Sequence, residues 1–95
     1  MKTIQKFDLQ PVVTRIEIPA DARILAIMVQ GIYPRLFVLL DEDAPKAKRA
    51  FVTYKTGANV PDNPGKYVGS FCYSGDVTLS LHVFEVKEGD EVLVC

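Results

Sequence analysis

Long apolar runs, cysteine and a surplus of either charge are all scarce in this sequence. The longest apolar stretches fall far below the ~20 residues needed to cross a bilayer, which sets aside a membrane-spanning helix and a membrane partner. The start, Met1 to Leu9, is polar and alternating, where a secretory signal has a charged stretch followed by an apolar one. The two cysteines, Cys72 and Cys95, show no Cys/His spacing of a zinc site, so no metal is expected. They read as free thiols in a reducing compartment, and the expected location is the cytosol. Eleven Lys and Arg stand against twelve Asp and Glu, a formal net charge of −1. That removes a chain-wide nucleic-acid footprint while leaving room for a local basic patch. No cofactor motif is present.

What is there reads as strands. Thr3 to Leu9 carries Ile4, Phe7 and Leu9, and the slip in spacing between Ile4 and Phe7 marks a candidate bulge. Val12 to Ile18 alternates, with Val12, Thr14, Ile16 and Ile18 on one face and Val13, Arg15 and Glu17 on the other. Arg23 to Gln30 and Leu36 to Leu40 are apolar on both faces and joined by Gly31-Ile32-Tyr33-Pro34, which suggests a hairpin. Asp41 to Lys48 reads as a charged loop and Phe51 to Thr56 as the next strand. Gly57 to Gly65, with two prolines and two asparagines, is a long ordered loop. Tyr67, Gly69, Phe71 and Tyr73 then alternate against Val68, Ser70 and Cys72. After a Ser74-Gly75-Asp76 turn, Val77, Leu79, Leu81 and Val83 alternate against Thr78, Ser80, His82 and Phe84.

Turn signals every 8–12 residues and the lack of a convincing helix predict an all-β fold. The expectation is a small, mainly antiparallel sandwich or partly open barrel of about six or seven strands. Residues 1–86 would form a single β domain, and 87–95 a short C-terminal strand or a tail that docks on a partner. At 95 residues folding buries roughly 60–65% of the unfolded surface, a modest core. The two strands that are apolar on both faces need cover on both sides. A subunit interface, and so a homo-oligomer, and cover from the same chain are equally open.

No catalytic constellation stands out. His82, the only histidine, reads as a hydrogen-bonded structural residue rather than a base, and the chain is expected not to be an enzyme. Asp41, Glu42 and Asp43 are consecutive and precede a proline, which suits a solvated turn better than a calcium loop. Lys46, Lys48 and Arg49, with Tyr54 and Lys55 on the following strand, combine cations with an aromatic ring. That pairing suits a phosphate and a stacked base. Thr56 opens the long loop, for which a structural turn and a binding loop are equally open. Lys46, Lys48, Arg49, Tyr54, Lys55, Thr56, Tyr67 and His82 are therefore the candidate ligand-binding residues.

The order of residues carries a resemblance. The run Asp41, Ala44-Pro45-Lys46, Arg49, Phe51, Tyr54, Thr56-Gly57, Pro61-Asp62, Pro64-Gly65, Tyr67, Gly69, Phe71 and His82-Val83-Phe84-Glu85, with the opening Met1-Lys2-Thr3-Ile4, resembles an uncharacterised family of small proteins. Its members are encoded by tailed bacteriophages and by bacteria carrying phage-derived DNA. The resemblance runs to about Glu85 and leaves the tail from Val86 outside it. The chain departs from it at Lys55, where relatives often have glycine, and around Leu79 to Leu81. The resemblance carries no assigned reaction. It implies a phage protein that counters host antiviral defence by binding, foremost by sequestering a nucleotide signal in an oligomer. The alternatives are an inhibitor that binds a host defence protein and a virion structural or accessory domain.

Overall fold

The computed structural model describes residues 1–10, 12–73 and 79–87. They form seven strands: β1 (Lys2–Asp8), β2 (Val13–Pro19), β3 (Arg23–Gln30), β4 (Tyr33–Asp41), β5 (Lys46–Lys55), β6 (Lys66–Tyr73) and β7 (Leu79–Val86). There is no helix among the described residues. All strand pairs are antiparallel. They make a three-stranded sheet, β1-β4-β3, and a four-stranded sheet, β2-β5-β7-β6. The fold is thus a two-sheet sandwich and not a closed barrel. The Ser74-Gly75-Asp76 turn, the start of the last strand at Val77 and residues 88–95 of the tail lie outside the described residues.

The core lies between the sheets. Leu36, Val38 and Leu40 point inward from β4, Phe51 from β5, Phe71 from β6 and Val83 from β7, and all are buried. Each such side chain contributes about 1.5–3 kcal/mol by leaving water. The β3–β4 hairpin turns on Gly31 and Ile32, with Gly31 at φ 65° as the first position of a type II′ turn requires.

Three sequence expectations need correction. The charged loop after Asp41 spans only residues 42–45, because the strand restarts directly after Pro45 and Lys46, Lys48 and Arg49 belong to β5. The bulge expected in β1 is absent: β1 pairs with β4 without interruption, and Ile4 points outward, opposite Leu39. Bulges instead occur at Leu25 in β3 and Val68 in β6. The first puts Ile24, Ile27 and Val29 on the core side together. The second turns Tyr67 away from the face of Gly69, Phe71 and Tyr73 and sets it opposite Phe84.

The connection from β5 to β6 crosses β7. Both strands run antiparallel to β7, so residues 56–65 must travel the length of the sheet. The inner face is occupied by the other sheet, which leaves the outer face for the crossing. Pro61 is buried there, and Val52 and Tyr54, which point to that side, are 0% and 3% exposed. The long loop is a strap over the sheet. Its two prolines lower the entropy lost in ordering it.

Candidate functional site

The bulge at Val68 assembles an aromatic cluster on the outer face of the four-stranded sheet. Tyr67 meets Phe84 edge-on with ring centroids 5.3 Å apart, and Phe84 meets Tyr54 in the same manner at 6.1 Å. His82 lies opposite Tyr54 on β5 and 6.4 Å from the Tyr67 ring. The first strap residue ties into this group: the Thr56 backbone N–H and hydroxyl both donate to the Ser80 carbonyl, at 3.0 and 3.2 Å. Thr56 Oγ1 also lies 2.9 Å from His82 Nε2. A threonine hydroxyl has one proton; where Ser80 receives it, His82 Nε2 is the donor in that contact, so the roles follow the imidazole tautomer. Tyr54, Thr56, Tyr67 and His82 are therefore together, and His82 is held by the strap.

The cations are not with them as a group. Alternation along β5 puts Lys46 and Lys48 on the outer face with Tyr54, and Arg49 and Lys55 on the inner side. Lys48 and Tyr54 stand six residues apart, roughly 20 Å along an extended strand, and Lys46 roughly 26 Å from Tyr54. One phosphate and one stacked base do not span that distance. Arg49 is bound internally. Its Nε and Nη2 donate to Glu85 at 2.7 and 2.8 Å, and its Nη1 donates to the carbonyls of Ala22 and Pro19 at 2.7 and 3.3 Å. The Glu85 hydrogen bond raises the Arg49 pKa above its ordinary value, aided by the charges of Glu85 and Asp21 and opposed by burial. This clamp closes one end of the sandwich and pins the β2–β3 turn.

At the opposite end the sheets part. A cavity of about 580 Å³ opens between them, lined by Tyr33, Thr53, Lys55, Phe71, Tyr73 and Leu81 among others. Its volume lies within the usual range for small-molecule sites. Tyr73 donates its hydroxyl to the Ile32 carbonyl at 3.4 Å, joining the two sheets at the rim. The Thr53 hydroxyl oxygen is buried with no hydrogen-bond partner among the described residues. Asp8, also in the wall, faces Arg35 at 3.4 Å. Lys55 is the one sequence-predicted cation in this lining. The backbone beside it is strained, since Val12, a β-branched residue, has φ 68°. That conformation is held by Gln10 donating its N–H to Thr14 Oγ1 at 2.7 Å and by Thr53 donating to the Val12 carbonyl at 2.8 Å. Among the described residues no three His, Cys, Asp or Glu side chains are placed to share a metal ion.

Sequence reasoning placed Lys55 in a site but missed Tyr33, Thr53 and Tyr73, which come from strands far apart in the chain. Tyr73 at a strand end and Tyr33 beside a turn were the available signal.

Comparison with curated proteins and with solved structures finds no match. Comparison with protein families matches residues 1–93 to a domain of unknown function, DUF7352, so the match continues past Glu85 into the tail that the sequence resemblance leaves out. The chain belongs to the DUF7352 family, an uncharacterised one.

Proposed function

We propose that this chain is a non-enzymatic binding protein of phage or prophage origin that acts in the host cytoplasm against antiviral defence by sequestering a nucleotide signal. The observation that supports this reading best is the cavity between the parted sheets. Tyr33, Phe71 and Tyr73 offer aromatic surface to a base, Lys55 offers a cation to a phosphate, and the unpaired Thr53 hydroxyl offers a hydrogen bond. The pairing of one cation with several rings suits a ligand with a planar base and few phosphates. Retention without turnover fits His82, whose Nε2 is engaged by Thr56.

The test is thermal unfolding of the purified protein with cyclic oligonucleotides and ADP-ribose derivatives at millimolar concentration. Ligand binding to the native state raises Tm by mass action. A rise for one ligand, lost in Lys55→Glu and Tyr73→Ala, supports the reading. No rise with any of them, or a rise indifferent to both substitutions, overturns it.

A further inference from the structure

The outer face of the three-stranded sheet carries exposed apolar side chains that nothing among the described residues covers. Counting outward-facing residues across β1, β4 and β3, Ile4, Leu39 and Arg23 form one row. Lys6, Phe37 and Ala26 form the next, and Asp8, Arg35 and Met28 the third. The apolar members, Ile4, Leu39, Phe37, Ala26 and Met28, make a diagonal stripe from one edge of the sheet to the other. Ile4 and Met28, its two ends, are 60% and 47% exposed, and Leu25 at the bulge beside it is 42% exposed.

The charges around the stripe are arranged in a particular way. Arg23 occupies the corner on one side; on the other, Asp8 occupies the corner, where it faces Arg35 of its own sheet at 3.4 Å, with Lys6 beside it on β1. With strands about 4.8 Å apart and two residues advancing about 6.8 Å, the stripe runs at roughly 35° to the strands. Consider a two-fold axis lying along the stripe, parallel to the sheet. It sets Ile4 on Ile4, Phe37 on Phe37 and Met28 on Met28 of a second copy. The same rotation carries Arg23 to within roughly 6 Å of Asp8 of the second copy, in the plane of the sheet. An arginine side chain reaches that far. Symmetry makes the contact twice. The strands of the two copies cross at roughly 70°, near the orthogonal class of sheet packing.

We propose that two copies of this chain pack face to face through this stripe, with Arg23 of each paired to Asp8 of the other. The proposal rests on the outer face of the sheet, and of the residues it uses Asp8 also borders the cavity.

Sedimentation velocity of the full chain over a concentration series tests it. The expected species has twice the chain mass of 10.6 kDa. Ile4→Glu puts two carboxylates against each other at the axis and yields a monomer, with an unchanged circular dichroism spectrum showing that the fold persists. Arg23→Asp and Asp8→Arg each weaken dimerisation by about tenfold or more, and the double variant restores it to within about threefold. A monomer at every concentration overturns the proposal, as does a dimer indifferent to Ile4→Glu or single losses that the double variant does not rescue. A monomer whose face is taken by a host or virion protein overturns it as well.

Discussion

Arg49 holds both carboxylate oxygens of Glu85, at 2.7 and 2.8 Å, across the closed end of the sandwich. The two residues lie on neighbouring strands, β5 and β7, and point between the sheets. The guanidinium also satisfies two carbonyls of the β2–β3 turn, so one side chain joins three strands.

Removing one partner of such a pair leaves a poorly solvated charge. Arg49→Met is expected to lower stability by about 2–4 kcal/mol. Arg49→Met with Glu85→Leu should recover more than half of that, because the apolar pair leaves no stranded carboxylate. Urea unfolding of the two variants decides it. The Arg49 pKa is raised on folding, so the contribution is full at every pH below the ordinary arginine value and fades only as pH rises through the folded value. The loss caused by Arg49→Met should therefore not shrink between pH 8 and pH 10.

Gly65 and Gly57, both in the strap, separate two costs of replacing a glycine. Each has a positive φ, 103° and 92°. A Cβ at Gly57 meets nothing, while one at Gly65 runs into the carbonyl oxygen of Glu85. Gly57→Ala should cost about 1–2 kcal/mol for conformation alone. Gly65→Ala should cost more, because the strap must lift from β7 or β7 must shift. Chemical denaturation of both, with a larger loss for Gly65→Ala, is the expected result.

The Thr56–His82 contact predicts a tautomer. With the Thr56 hydroxyl donated to Ser80, neutral His82 should carry its proton on Nε2. Nitrogen-15 NMR of the imidazole reads this directly. Thr56→Val should abolish the preference and cost about 1–2 kcal/mol through the lost hydrogen bonds. Thr56→Ser should restore both the tautomer and most of the stability.

Much of this was readable from alternation, and the failures have specific causes. In β7 the pattern places Leu81 and Val83 inward and Ser80, His82 and Phe84 outward, and the structure agrees. In β6 the same rule misplaces Tyr67, because Val68 is an extra residue in the ladder. A glycine inside a strand signals such a site, and Gly69 stands next to Val68, where a Cβ would come within 3.4 Å of Ile27. The basic cluster misleads for a different reason. Three cations in four residues look like one patch in a loop, yet on a strand Lys48 and Arg49 face opposite ways. The cavity was legible only at Lys55, since its other walls depend on which strand ends the two sheets bring together.

Each bulge inserts one residue between two ladder neighbours that already face opposite ways. Ile24 faces the core and Ala26 faces out, with Leu25 inserted between them. Deleting Leu25 leaves Ile24 and Ala26 as consecutive residues on opposite faces, as a regular strand requires. Its side chain is largely exposed, so little packing is lost. Deleting Val68 repairs the β6 ladder in the same way, but Val68 packs against the core. The expected loss is within about 1 kcal/mol for the Leu25 deletion. It is about 2 kcal/mol or more for the Val68 deletion, from lost apolar burial. Equal losses in urea titrations of the two deletions would show that the bulges themselves, and not the burial of the inserted side chain, set the stability of each strand.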